Sequence, residues 1–182
     1  MTRPAMPPVL ILPGYADSGP EHWQSHWERA DPRCRRVVQA DWLDPRRQDW
    51  VDTLERSVAE CATPPVLVAH SLACSLVAHW AAGSRLPARG ALLVAPADVD
   101  SPLHTPDEVR SFSPIPMVRL PFPSIVVAST DDPFASMERV TAFASAWGSR
   151  LIVLERAGHI NADTGFGPWP DGHHLLAQLT GP

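Results

Sequence analysis

Lysine is missing altogether from the 182-residue sequence: all fifteen basic residues are arginine, against twenty acidic ones, for a formal net charge of -5. We read the arginine-only choice as a compositional bias without functional content. No run of basic residues occurs, which excludes the electrostatic footprint that a nucleic-acid or anionic-membrane partner requires. No apolar stretch approaches the roughly eighteen residues of a membrane span. The opening "MTRPAMPPVLILPG" lacks a basic flank, a sustained apolar core and a cleavage site, so a soluble, unexported, cytoplasmic protein is expected. Cysteine is scarce: Cys34, Cys61 and Cys74 are odd in number and lack C-x-x-C spacing, which disfavours a disulfide framework or a zinc site and suits reduced thiols. Internal repeats and low-complexity tracts are absent too.

What the chain does have is a 45% hydrophobic composition at the length of one ordinary domain, so a single domain over 1–182 is expected. Short apolar runs recur, each followed by a loop and a longer amphipathic segment, which is the rhythm of βαβ units and a parallel sheet in the α/β class. The predicted strands are Val9–Leu12, Arg36–Gln39, Val66–Ala69, Ala91–Val94, Ile125–Ala128 and Leu151–Leu154. They are short, β-branched and almost unbroken, as strands covered on both faces are. In "RRQDWVDTLERSVAEC" the residues Trp50, Leu54, Val58 and Cys61 recur at spacings of three and four, predicting one buried helical face. Further helices are predicted from Leu72 to about Ala82 and from about Ser136 to Trp147, with Trp80 and Trp147 on their apolar faces. The segment "SPLHTPDEVRSFSPIPMVRLPFPS" is too rich in proline for a long helix or a central strand. It reads as a surface excursion between adjacent strands, able to edge a pocket but not to build a helical cap.

The chemistry gathers at the carboxyl edge of that sheet. Strand Val66–Ala69 runs directly into Ser71 and then helix, and so tight a strand-to-helix turn projects its central side chain where ligands bind in open α/β sheets. This is the geometry of a nucleophile elbow, here Ala69-His70-Ser71-Leu72-Ala73, with alanine at both glycine positions of G-x-S-x-G. A serine hydroxyl needs a base, and the base an orienting acid, following in the order Ser, Asp, His. "STDDPF" after the fifth strand offers Asp131 and Asp132, and "ERAGHINADTG" after the sixth offers His159. The spacing does not choose between the two aspartates. The loop after the first strand, "LPGYADSG", begins at the same edge, and the backbone N–H groups of Tyr15 and Leu72 are the expected oxyanion hole, with Gly14 allowing close approach. No metal or other cofactor is called for.

The histidines elsewhere weigh less. "EHWQSH" places His22 and His26 four apart on a predicted helix with Glu21 adjacent, but an H-E-x-x-H zinc site has its glutamate between the histidines, where Trp23 stands here. Trp23 and Trp27 are expected to pack on the sheet. His173 and His174 open the last predicted helix as a solvated first turn, and Cys74, one turn into the elbow helix, is expected to be buried and inert.

The motifs "LPGYADSGPEHWQSHWE", "AHSLAC", "FPSIVVASTDDPFAS" and "GHINADTGFGPWPDG", taken in order, resemble the small serine hydrolases related to retinoblastoma-binding protein nine, a compact branch of the α/β-hydrolases. The resemblance covers essentially the whole chain. It implies a three-layer α/β/α sandwich on a six-stranded, mainly parallel sheet, the minimal hydrolase fold without a cap. It also implies Ser71, Asp132 and His159 as the triad, a small ester or amide as substrate, and His22 or Trp23 at the pocket mouth. The alternative is a protein-interaction module on a hydrolase fold with a vestigial site, since one member of the family is named for a protein partner.

Overall fold

The computed structural model describes residues 6–181; residues 1–5, which belong to the stretch read for a leader, and residue 182 lie outside the described residues. Six strands form one sheet: β1 (Val9–Leu12), β2 (Cys34–Arg36), β3 (Val66–His70), β4 (Gly90–Val94), β5 (Ser124–Ser129) and β6 (Arg150–Leu154). Their order is β2-β1-β3-β4-β5-β6, and every neighbouring pair is parallel. The helices are α1 (Trp23–Ala30), α2 (Arg47–Ala59), α3 (Leu72–Gly83), α4 (Met137–Trp147) and α5 (Pro170–Thr180).

Strand side chains alternate between two cores. Leu10, Leu12, Leu67, Ala69, Leu93 and Val126 pack with α2, α3 and α4. Val9, Ile11, Val66, Val68, Leu92 and Val127 pack on the opposite face with α1 and α5. Because both faces are covered, these strands read as continuous apolar runs rather than alternating ones. Right-handed crossovers set the division: β1 to β2 steps one way along the sheet and puts α1 on one face, whereas the later steps run the other way and put α2, α3 and α4 on the other. Trp50, Trp80 and Trp147 are each 1% exposed in the larger core, and truncating any of them to alanine is expected to cost about 3–5 kcal/mol.

Local chemistry sets the helix ends. The Ser136 hydroxyl accepts the Arg139 N–H at 3.2 Å to start α4, and Gly148, at φ 69°, closes it. His22 caps α1 with its ring, Nδ1 accepting the Gln24 N–H at 3.2 Å. So His22 precedes the helix that "EHWQSH" predicted it to sit on.

Three expectations shift. The second strand is Cys34–Arg36 rather than Arg36–Gln39, because the ladder with β1 runs from Val9↔Cys34 to Ile11↔Arg36. β1 ends at Leu12, and the β-branched Val37 and Val38 beyond Arg36 have only one further ladder bond, from Val37 N–H to Ile11 O. Helix α2 closes at Ala59, leaving Cys61 half-buried just past its end. The proline-rich excursion does join the adjacent strands β4 and β5, but it is more than surface: Val109, Phe112, Ile115, Leu120 and Phe122 are buried. Among the described residues no helix is long and apolar enough to cross a membrane.

Candidate active site

The direction of chain progression reverses between β1 and β3, and that crevice at the carboxyl ends is where open α/β sheets bind ligands. Ser71 stands there, between β3 and α3, with φ 57° and ψ -121°. A non-glycine residue in that conformation is strained and holds only where its surroundings over-determine it. Here they do: the Ser71 N–H donates to Val94 O at 2.9 Å, and Leu72 through Ala78 are all buried behind it. Alanines 69 and 73, fully buried, fit where the usual pattern has glycine.

His159 and Asp132 converge on that serine. His159 Nε2 lies 2.9 Å from Ser71 Oγ, and Nδ1 lies 3.0 and 2.9 Å from the two carboxylate oxygens of Asp132. The histidine and aspartate side chains are 10% and 4% exposed, so the pair is shielded from water. The last residue of β5 and the two that follow it grip the loop that carries the histidine. Thr130 Oγ1 accepts the Arg156 N–H at 2.9 Å, Ser129 Oγ accepts the Ala157 N–H at 2.9 Å, and Asp131 accepts the Gly158 N–H at 2.8 Å. Asp132 then takes the imidazole itself. Gly158 has φ 57°, and a Cβ there would sit 2.4 Å from Thr164 Cγ2, so the turn before His159 needs glycine.

A cavity of about 220 Å³ opens over Ser71. Tyr15 and Leu72, the predicted oxyanion residues, both line it, and so does His22. Gly14 brings the Tyr15 loop against the elbow: a Cβ on it would lie 2.9 Å from His70 O and 3.3 Å from Leu72 N. The Leu72 amide, first in α3, has no acceptor within its own helix. Trp23 is a correction. It is fully buried and does not line the cavity; its indole Nε1–H donates to Ile160 O at 2.9 Å. The same helical periodicity that predicts an inward face leaves open whether that face meets core or pocket.

A serine hydrolase family profile matches residues 9–178. The chain belongs to the serine hydrolase family. Among its relatives, this serine hydrolase is 29% identical over 184 residues to the YdeN protein of Bacillus subtilis, covering 93% of this chain and 94% of that one. A crystal structure of a YdeN-like protein of Pectobacterium atrosepticum is 35% identical, with a TM-score of 0.86 over 96% of this chain and 91% of the other. Both relatives are provisionally named hydrolases. Est1E of Butyrivibrio proteoclasticus, at 13% identity and a TM-score of 0.69 over 97% of this chain and 90% of its own, shares the fold.

The serine hydrolase builds the rest of its cavity from residues that motif reading does not single out. Ala97 and Val99 follow the carboxyl end of β4, and Thr105, Pro106 and Val109 come from the excursion. The strand-edge rule reaches the first two; the others sit in irregular chain with no periodicity to reveal them. Phe134 packs its ring on His159 with centroids 4.4 Å apart, and Asn161 lines the cavity as well. His26 does not line the cavity, and its Nε2 lies 3.7 Å from the Glu21 carboxylate. Cys74 is fully buried, and desolvation drives its thiol well above the ordinary range, so no thiolate competes with Ser71.

Proposed function

We propose that the protein hydrolyses a small ester or amide through an acyl-Ser71 intermediate. The observation that carries this reading is the continuous hydrogen-bonded line from Ser71 Oγ through His159 to Asp132, each link about 2.9 Å. In the first step Ser71 Oγ attacks the substrate carbonyl while His159 Nε2 takes its proton, and the Asp132 carboxylate holds Nδ1–H and balances the imidazolium. The tetrahedral oxyanion sits against the N–H groups of Tyr15 and Leu72. Collapse breaks the bond to the leaving group, which takes the proton from His159. Water then enters, gives its proton to His159, and cleaves the acyl-serine in the same sequence of steps.

The cavity favours a small acyl group. Its volume of about 220 Å³ lies below the roughly 300–1,000 Å³ of pockets that hold drug-sized ligands. Its walls at Leu72, Val99 and Val109 are apolar, and no arginine lines it to pair with a carboxylate. We place the enzyme in the cytoplasm on the strength of its three unpaired cysteines.

Labelling by a fluorophosphonate probe, with peptide mapping and Ser71→Ala as control, tests the mechanism without a guess at the substrate. Modification confined to Ser71, followed by faster turnover of acetyl and butyryl esters than of decanoyl esters, is the expected result. Absence of labelling in folded protein refutes it and turns attention to the interaction-module alternative, which the short Ser71–His159 contact otherwise disfavours.

A further inference from the structure

Beyond Asp132 and the residues that grip the loop before His159, two buried donors hold the chain just after it. His70 is 5% exposed and immediately precedes Ser71, and its Nε2 lies 2.9 Å from the carbonyl oxygen of His159. A carbonyl only accepts, so the His70 ring carries its proton on Nε2. Desolvation, with His159 and His22 nearby, holds His70 well below the ordinary histidine range, which keeps the ring neutral and the donor in place. Trp23, on α1, donates Nε1–H to the next carbonyl, that of Ile160, at 2.9 Å.

These two carbonyls flank one residue with unusual geometry. Ile160 has φ 49°, in the left-handed region that a β-branched side chain rarely enters, and it is fully buried against the same core as Trp23. The carbonyl before a residue and the carbonyl after it mark the two peptide planes whose relative rotation is that residue's φ and ψ. Fixing both carbonyls therefore fixes Ile160. Released, the backbone can relax toward negative φ, and that rotation displaces the residue attached to it, His159. His70 is also joined covalently to Ser71, so the bond from its ring refers the base loop directly to the elbow.

We propose that His70 and Trp23 are positioning residues that jointly hold the strained His159–Ile160 turn, keeping His159 Nε2 aimed at Ser71 Oγ. This rests on the reading of His159 as the base. Trp23 lies outside the cavity, and His70, which lines it and packs on the His159 ring with centroids 4.8 Å apart, acts in this role through its bond to the His159 carbonyl. The histidine of the elbow motif and the tryptophan of "EHWQ", distant in sequence, thereby serve one turn.

The test compares His70→Leu, His70→Gln and Trp23→Phe, and the double variant His70→Leu/Trp23→Phe. Gln carries an amide donor close to the position of Nε2, and Phe keeps most of the indole's volume without its N–H. The readouts are kcat and KM on a short acyl ester, the rate of Ser71 labelling, and amide hydrogen exchange over residues 158–162. His70→Leu and Trp23→Phe are each expected to lose more than tenfold in kcat and in labelling rate, with KM within twofold and faster exchange at the turn. His70→Gln is expected to stay within threefold of the natural protein, and the double variant to lose less than the product of the single losses, because the turn is released only once. Labelling of both single variants at the natural rate overturns the proposal, as does a His70→Gln variant no better than His70→Leu. Should Trp23→Phe fail to fold, the two His70 variants decide alone. Should the natural protein itself resist labelling, the hydrolase reading fails, and exchange judges the turn: acceleration in the variants upholds the anchor, and unchanged exchange removes it.

Discussion

Asp131 accepts the backbone N–H of Gly158 at 2.8 Å, one residue short of the histidine that its neighbour Asp132 engages through the ring. Adjacent carboxylates on one turn thus do different work. The Gly158 amide and the Ser129 hydroxyl hold the Asp131 carboxyl below its ordinary range, which keeps it an acceptor, while Asp132 faces the imidazole with its side chain 4% exposed. Asp132→Asn is expected to lower kcat by about 10⁴, because an amide favours the wrong imidazole tautomer. Asp131→Asn keeps an oxygen for the Gly158 amide and is expected to lose less than tenfold. Steady-state kinetics on one short ester separates the two, and equal losses would contradict the division of roles.

Gly14 is where the two halves of the expected oxyanion hole meet. A Cβ there would lie 2.9 Å from His70 O, 3.0 Å from Ser71 Cβ and 3.3 Å from Leu72 N. None of these atoms is the end of a flexible side chain, so the loop and the elbow must part. Gly14→Ala is expected to cost about 10² to 10³ in kcat, the range for losing one oxyanion donor, and about 1–3 kcal/mol in stability from overpacking. A variant that binds substrate more weakly but turns it over at the natural kcat would show that Gly14 shapes the pocket and not the hole.

Patterning locates five strands well: β1 at its observed bounds and β3 to β6 within one residue at each end, the buried β1, β3, β4 and β5 and the half-exposed edge strand β6 alike. β2 is different because its extent depends on where its partner β1 stops, which Val37 and Val38 do not reveal. Ser71, His159 and the pair of aspartates were legible because the strand-edge rule converts position in the chain into position in space. Spacing leaves the choice between Asp131 and Asp132 open, since it turns on side-chain direction within one tight turn, and only the family resemblance points to Asp132. Trp23 and His70 carry no signal of their own either. Trp23 reads as a residue packing on the sheet or at the pocket mouth and His70 as the variable position of a motif, and only the folded chain brings both to the carbonyls around Ile160.

His22 makes stability depend on pH in a calculable direction. Desolvation, with smaller contributions from His159 and Arg36, lowers it from 6.5 to about 4. Between those values the unfolded chain binds a proton that the folded chain does not, so stability is lost as pH falls from about 6.5 toward 4, reaching about 3 kcal/mol in the fully shifted limit. Above that window His22 is neutral in both states and contributes no pH dependence. His22→Asn keeps a good cap for α1 while removing the titration. Denaturant unfolding at pH 7, 6, 5 and 4 is expected to give curves for the two proteins that converge or cross toward acid. Curves that stay parallel would mean that His22 titrates normally in the folded state.

The pocket wall depends on an ion cluster outside the triad. Asp98 lies between the cavity residues Ala97 and Val99, its side chain 4% exposed, and receives Arg139 Nε and Nη2 at 3.0 Å each. The same guanidinium reaches Asp100 at 2.7 Å, and Asp100 in turn accepts the Ser113 hydroxyl at 2.8 Å and the Ile115 N–H at 3.1 Å. So one arginine on α4 ties the end of β4 to the excursion that supplies Thr105, Pro106 and Val109. Removing it leaves a buried carboxylate without its partner, which costs about 3 kcal/mol, the low end of the range because the arginine side chain is 34% exposed. Arg139→Met is therefore expected to lower stability by that amount in urea titrations and to raise KM more than it lowers kcat, since the wall loosens while the triad stays. Adding Asp98→Asn should recover part of the stability by removing the stranded charge. If the double variant is less stable than Arg139→Met alone, the cost comes from the lost contact of the guanidinium with the Phe143 ring, 4.7 Å to its centroid, and not from the unpaired carboxylate.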